Sequence, residues 1–257
     1  MNILTKIENG VAYITLHRPE KYNSVNRELA LGLQAALDAC ATNDEVRAIL
    51  LSGAGKGFCA GQDLGEVIEP GGPQITHIVS EHYNPIIEKI VQLKKPVICA
   101  VNGVAAGAGA NIALACDIVV AAESATFIQA FSKIGLIPDS AGTYFLPRLI
   151  GRQKAMALMM LADKVTAQEA ESIGMIYKYF SDDILMMEAE KIAVKLAQMP
   201  TVALAYTKMA LNASENNTLE EQLALEGKYQ KECSETEDFK EGINAFLEKR
   251  SAVFTGK

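Results

Sequence analysis

Apolar and polar residues follow two different periods along this chain. Short β-branched runs bounded by turn residues fall at 11 to 16 (VAYITL), 46 to 52 (VRAILLS), 95 to 103 (KPVICAVNG) and 116 to 123 (CDIVVAAE), and each predicts a strand. Between them the period lengthens. In NRELALGLQAALDACATN (26 to 43), Leu29, Leu33, Ala36, Leu37 and Cys40 share one 3.6-residue face, with Glu28 in the first turn, where a carboxylate complements the helix N-terminus. Strands separated by longer helical stretches give an α/β fold whose sheet is covered by helices.

The segment 65 to 77 carries the breaker cluster Glu69-Pro70-Gly71-Gly72-Pro73 and reads as a surface loop placed to move over a pocket. Beyond about residue 195 the strand signal disappears. VALAYTKMALNAS and TLEEQLALEGKYQKECSETEDFKEGINAFLEKR are both helical in period, so residues 1–195 are expected to form the core and 196–257 a helical region that packs on it or on another subunit.

Composition narrows the function classes. The chain has 257 residues, enough for one sizeable core, and its 49% apolar content contains no run long enough to span a bilayer. The first twenty residues lack a basic stretch followed by an apolar one, which predicts a cytoplasmic protein without a membrane partner. A net charge of −7 argues against a nucleic-acid partner. Five widely spaced cysteines, none in a CxxC pair, predict buried free thiols and neither a disulfide framework nor a metal site.

Two small-residue stretches each follow a strand and precede a helix. They are SGAGKGFCAGQDL (52 to 64), with Asp63 suited to an N-cap, and NGVAAGAGANIALACD (102 to 117). Bare N–H groups at such turns can receive a developing oxyanion, while close helix-to-strand packing is the alternative reading of the same glycines. The spacing of Gly103, Gly107 and Gly109 is not that of a dinucleotide loop. In FSKIGLIPDSAGTYFLPR (131 to 148), Asp139 is set between a proline and a Ser-Ala-Gly-Thr run, as a helix cap or as the one acid or base of an apolar pocket.

The motifs HRPEKYNSVN, GFCAGQDL, KPVICAVNGVAAGAGANIALACDIVVAAESATF, IGLIPDSAGT, LPRLIGRQKAMALMMLADKVTAQEAESIGMI and AFLEKRSAVFTGK occur in this order over essentially the whole chain. Together they resemble the enoyl-CoA hydratase/isomerase (crotonase) superfamily. The resemblance implies a core of ββα spiral turns, a C-terminal helical trimerisation region giving a homotrimer or dimer of trimers, and an acyl-CoA thioester as substrate. Coenzyme A would then be part of the substrate, with no separate cofactor.

By the same resemblance the backbone N–H groups of Gln62 and Ala108 form the oxyanion hole. The two glutamates that hold water in the family's hydratases are replaced by Asn111 and Phe131. Asn111 cannot exchange a proton near neutral pH and Phe131 cannot hydrogen-bond, which leaves Asp139 as the catalytic acid/base, in an apolar neighbourhood of Phe131, Leu136 and Ile137 expected to raise its pKa. Lys21, Asn23, Ser24, Ala60, Asp63 and Leu64 match stretches that line the substrate, and Lys249 or Lys257 could reach its phosphates. His17, His77 and His82 lie outside the matched catalytic motifs and are not expected to take part in the chemistry.

Within the family, FSKIGLIPDSAGT, KPVICAVNGVAAGAGA, HYNPII and FLEKRSAVFTGK carry a narrower resemblance to the isomerases that convert ring-1,2-epoxyphenylacetyl-CoA to oxepin-CoA in phenylacetate breakdown. That implies an isomerase that also shifts 3-enoyl-CoA to 2-enoyl-CoA double bonds. A hydratase working with the single carboxylate remains open, as does a non-catalytic subunit complexed with a related hydratase. Loss of a turn or of Asp139 would mark the latter, and neither is lost.

Overall fold

The computed structural model describes residues 2–69 and 71–257. Strand β2 (Val11–Leu16) coincides with the run VAYITL, and β3 (Ala48–Gly53), β5 (Val97–Val101) and β7 (Ile118–Ala122) occupy the other three apolar runs. Strand β1 (Ile3–Glu8) precedes them and pairs antiparallel with β2. The two-residue turn between them is Asn9-Gly10, with φ of 52° and 77°, the left-handed pair that matches hairpin twist.

From β2 onward the sheet is parallel, in the order β1-β2-β3-β5-β7-β10, where β10 is Lys178–Phe180. Its central strands are buried along nearly their whole length, which is why they read as unbroken apolar runs. A second sheet has the order β4-β6-β8-β9, from β4 (Gly57–Cys59), β6 (Val104–Ala106), β8 (Thr126–Ile128) and β9 (Lys164–Thr166). Along the chain β3 is followed by β4, β5 by β6 and β7 by β8, so each pass through the large sheet is followed by one through the small sheet. This alternation is the ββα spiral.

The 26 to 43 pattern becomes helix α1 (Arg27–Thr42), capped by the Asn26 side chain, which accepts from the Leu29 N–H at 3.0 Å. All five residues of the expected face are buried. The segment 65 to 77, expected as a loop, is helical at both ends, in α2 (Leu64–Ile68) and α3 (Ile75–His77), and only the stretch around the breaker residues between them is irregular, with Pro70 outside the described residues. A wider helical turn, Ile78–Tyr83, leads from α3 into α4 (Asn84–Gln92).

The remaining core helices are α5 (Ala108–Leu114), α6 (Gly142–Ile150), α7 (Arg152–Leu161), α8 (Ala167–Ser172) and α9 (Leu185–Ala197). Helix α9 buries Leu185, Ala189, Ala193 and Ala197 against the large sheet, so the core reaches slightly past residue 195. Helices α10 (Thr201–Ser214), α11 (Leu219–Ser234) and α12 (Glu237–Glu248) follow. They bound an apolar groove of about 940 Å³ lined by Tyr206, Tyr229, Phe239, Phe246 and Leu247.

The last residues fold back on this region. Asp238 accepts from the N–H groups of Thr255 and Gly256 at 2.7 and 2.8 Å, while Arg47 donates to the carbonyls of Phe254 and Met199 at 2.7 and 2.6 Å. All five cysteines are free, four buried and Cys233 half-buried. Among the described residues no helix is long and apolar enough to cross a membrane, and no cluster of side chains could hold a metal ion.

Candidate active site

The two small-residue turns meet. Val25 donates to the Gly61 carbonyl at 2.7 Å and accepts from the Asp63 N–H at 2.8 Å, a one-residue parallel bridge opposite Gln62. In this ladder pattern the N–H of the bridged residue points away from its partner, so the Gln62 N–H faces the side opposite Val25. Gly61 adopts φ 86°, and a Cβ on it would lie 2.8 Å from the Ala106 carbonyl oxygen and 3.6 Å from the Ala108 nitrogen. Ala108 opens α5, where its N–H has no acceptor within the helix. Two N–H groups on adjoining turns can together bind a thioester carbonyl oxygen and the negative charge that develops on it.

The glycines divide between the two readings of the sequence. Gly103 and Gly109 serve packing, since an added Cβ would come within 2.1 Å of the Lys56 carbonyl oxygen and 2.3 Å of the Cys59 carbonyl oxygen. Gly107 is conformational. Its φ of 53° and ψ of −126° lie where L-residues with a side chain are excluded, and this bend presents the Ala108 N–H. Phe131, buried at the start of the short turn Ala130–Ile134, sets its ring 3.7 Å from the site of a Gly107 Cβ.

Asp139 is half-buried and does not cap a helix. The residue before α6 is Ala141, and no side chain caps that helix. The Asp139 carboxylate accepts from the Ser140 hydroxyl at 2.8 Å. Burial raises its pKa above the ordinary carboxylate range, against the opposing effect of the Ser140 hydroxyl and of its own N–H. The expected apolar shell is only partly there: Phe131 is buried, but Leu136 and Ile137 point outward, Ile137 being 82% exposed. Their loop turns them to the surface, so the desolvation comes from elsewhere.

The HYNPII segment contributes Tyr83, a residue whose role the sequence left unassigned. Tyr83 is buried, its phenol donates to Gln62 Oε1 at 2.8 Å, and burial holds its pKa well above the usual value, with Cys59, Asp139 and Glu66 adding to the effect. Gln62 Nε2 donates in turn to Glu66 Oε2 at 3.0 Å. The Gln62 side chain is thus held on both sides, which fixes the backbone whose N–H is exposed. Asn111, fully buried, donates from Nδ2 to the Asp139 backbone carbonyl at 2.8 Å and accepts from Gln129 Nε2 at 2.8 Å.

The residues expected along the substrate divide. Lys21, Ala60 and Leu64 are exposed around the first turn. Asn23 departs from expectation: its side chain is wholly buried, accepting from the Arg18 N–H and donating to the carbonyls of Ala54 and Gly57 at 2.9 and 2.8 Å, so it knits loops together instead of facing a ligand. Ser24 is buried beside it, its carbonyl accepting from Arg18. Asp63 caps α2 and pairs with Arg18 at 2.9 Å; burial alone would raise its pKa, but the Arg18 and Gly65 bonds bring it below the ordinary value. Lys249 ends α12, and the Lys257 carbonyl accepts from the Asp238 N–H. His82 is fully buried with both ring nitrogens lacking a well-aligned protein partner.

The spiral core, the two abutting turns and the carboxylate beside them define a protein class. The sequence profile of the family described as enoyl-CoA hydratase/isomerase matches residues 6–257, and this chain belongs to that family, the crotonase superfamily. Among curated relatives it is 48% identical over 258 residues to the 1,2-epoxyphenylacetyl-CoA isomerase of Escherichia coli (strain K12), covering 99% of this chain and 98% of the relative. It is 44% identical over 252 residues to a Rhodobacter capsulatus protein named "Probable enoyl-CoA hydratase", covering 98% and 97%. The crystal structure of an enoyl-CoA hydratase from Bacillus anthracis superposes with a TM-score of 0.96 at 34% identity, over the full length of both chains.

Proposed function

We propose that this enzyme isomerises acyl-CoA thioesters, converting ring-1,2-epoxyphenylacetyl-CoA to oxepin-CoA and shifting 3-enoyl-CoA to 2-enoyl-CoA double bonds. The observation that supports the reading is the Asp139 carboxylate, half-buried with a raised pKa and not used as a helix cap; by the family resemblance, Asn111 and Phe131 take the places of the two glutamates that hold water in hydratases. The thioester oxygen sits on the Gln62 and Ala108 N–H groups, which stabilise the enolate formed when Asp139 removes a proton from the carbon beside the carbonyl. In the epoxide the carbon–carbon bond shared by the two rings breaks as the ring expands, and Asp139 returns the proton to a ring carbon. Substrate and product are isomers, so no water or second reactant enters. The E. coli relative supports this substrate.

A second reading, hydration of 2-enoyl-CoA with Asp139 alone, draws support from the R. capsulatus relative. Turnover of epoxyphenylacetyl-CoA and of a 3-enoyl-CoA by the wild type and by Asp139→Asn decides between them. The isomerase reading expects isomeric products from the wild type, a rate lowered by about 10² to 10⁴ in the variant, and no 3-hydroxyacyl product from crotonyl-CoA. Wild-type rates in folded Asp139→Asn, or 3-hydroxyacyl product as the main outcome, would overturn it. We also place the enzyme in the cytoplasm as a homotrimer or dimer of trimers, in which the groove between α10, α11 and α12 and the exposed Phe246 and Leu247 are covered by a second copy.

A further inference from the structure

The turn that carries Asp139 is held from its backbone. The Gly142 N–H returns to the Asp139 carbonyl at 2.9 Å, closing a four-residue turn whose central residues, Ser140 and Ala141, both have positive φ, 50° and 57°. Neither is glycine, so each sits in a left-handed well that a side chain disfavours, and such a turn persists only where its surroundings fix it. The second donor to the same carbonyl is Asn111 Nδ2, at 2.8 Å. Gly142 lies so close beneath that amide that a Cβ on it would meet Nδ2 at 2.3 Å.

The Asn111 amide has two possible orientations, related by a half-turn, and only one serves Asp139. With Nδ2 toward the carbonyl the contact is a hydrogen bond; with Oδ1 there it is a contact between two oxygens. Gln129 makes the choice. The residue is only 2% exposed, and its Nε2 donates to Asn111 Oδ1 at 2.8 Å, which turns Nδ2 to the other side. Gln129 makes no hydrogen bond to Asp139, and its Oε1 has no donor among the described residues, so the link to Asn111 is the one hydrogen bond its side chain makes among them.

We propose that Gln129 is a positioning residue for Asp139: through Asn111 it fixes the strained turn and with it the place from which the carboxylate reaches the substrate. This rests on Asp139 being the acid/base of the proposed isomerisation. A loosened turn leaves the thioester bound as before, since the N–H groups of Gln62 and Ala108 are untouched, but spreads the carboxylate over positions of which few are productive.

The test compares Gln129→Met, which keeps shape and removes the donor, with Asn111→Ala, the double variant, and Thr126→Val. Thr126, three residues earlier on β8, is the control: its hydroxyl is buried without a partner among the described residues and lies outside this chain of bonds. Gln129→Met is expected to lower kcat about tenfold or more for 3-enoyl-CoA with KM within about twofold, and Thr126→Val to leave both unchanged. Added to Asn111→Ala, the Gln129 substitution should cost little further, because its effect passes through an amide already removed. Wild-type kcat in folded Gln129→Met, or losses that multiply in the double variant, would overturn the positioning role. If Gln129→Met is silent while Asp139→Asn is inactive, only this inference fails; if Asp139→Asn itself keeps wild-type turnover, the function reading fails with it.

Discussion

Gly61 and Ala106 touch where the two small-residue turns meet: a Cβ on Gly61 would stand 2.8 Å from the Ala106 carbonyl oxygen, closer than such atoms approach. Gly61 also needs φ of 86°. Gly61→Ala must therefore push the turns apart as well as adopt a disfavoured backbone, at about 1 to 2 kcal/mol for the backbone alone. Because the separation falls between the Gln62 and Ala108 N–H groups, turnover should fall by about 10² or more in protein that still folds. Thermal melting together with initial rates checks this, and an unchanged kcat in the folded variant would show that the two groups do not act on one oxygen.

The raised pKa of Asp139 predicts two opposite effects of one substitution. A base must be ionised, so the acid limb of kcat/KM should lie above the ordinary carboxylate value of about 3.9. For stability, a carboxyl whose folded pKa exceeds its unfolded one binds more protons in the native state between the two values. Its contribution is favourable below the unfolded pKa and is lost as pH rises through the folded one. At neutral pH the ionised group is thus a burden on the fold, and Asp139→Asn should raise the melting temperature while abolishing most activity. Equal melting temperatures at pH 7, with the gap unchanged at pH 4, would contradict the assignment of that burden to burial.

Asn23 shows where the sequence stopped being legible. Its place in KYNSVN suggested a substrate contact, yet all its side-chain bonds go to the backbone of residues 18, 54 and 57. Those partners are set by how distant turns stack, which no local pattern encodes. Asn23→Ala removes the side-chain partner of three backbone groups, of which the Gly57 carbonyl keeps only the long Asn102 Nδ2 bond at 3.4 Å, and puts alanine at φ 55°, so a loss of about 3 kcal/mol is expected in denaturant unfolding. KM in the surviving folded fraction should stay near wild type; a large rise in KM with little loss of stability would restore the binding role.

The same limit runs through the fold. The long buried strands and the face of α1 were readable because a parallel sheet and an amphipathic helix impress their period on many residues. Strands β4, β6, β8, β9 and β10 have three residues each, too few for any period, and they were missed although β4 and β6 of the small sheet lead into the two small-residue turns. Asp139, Gln62 and Ala108 were reached through motif resemblance. Tyr83 and Gln129 were not, because their contacts with Gln62 and Asn111 span 21 and 18 residues and depend on the completed spiral.

Phe131 tests what keeps the pocket to isomerisation. Its buried ring lies 3.7 Å from the site of a Gly107 Cβ, beside the residue that presents the Ala108 N–H, so an apolar wall stands next to that N–H. A dry wall protects an enolate or an epoxide from capture by water. Asn111 is a poor partner for a reconstruction of the hydratase pair, because a glutamate there would set a carboxylate against the Asp139 carbonyl that Asn111 now donates to. The single change Phe131→Glu is cleaner. It should admit water and give measurable 3-hydroxyacyl product from 2-enoyl-CoA, while Phe131→Leu, which stays apolar, should keep the wild-type ratio of isomerisation to hydration even if a smaller side chain lowers stability by about 1 kcal/mol. Product analysis on both folded variants decides: if Phe131→Glu forms no hydrated product and isomerises at the wild-type rate, Phe131 fills volume in the core and does not select the reaction.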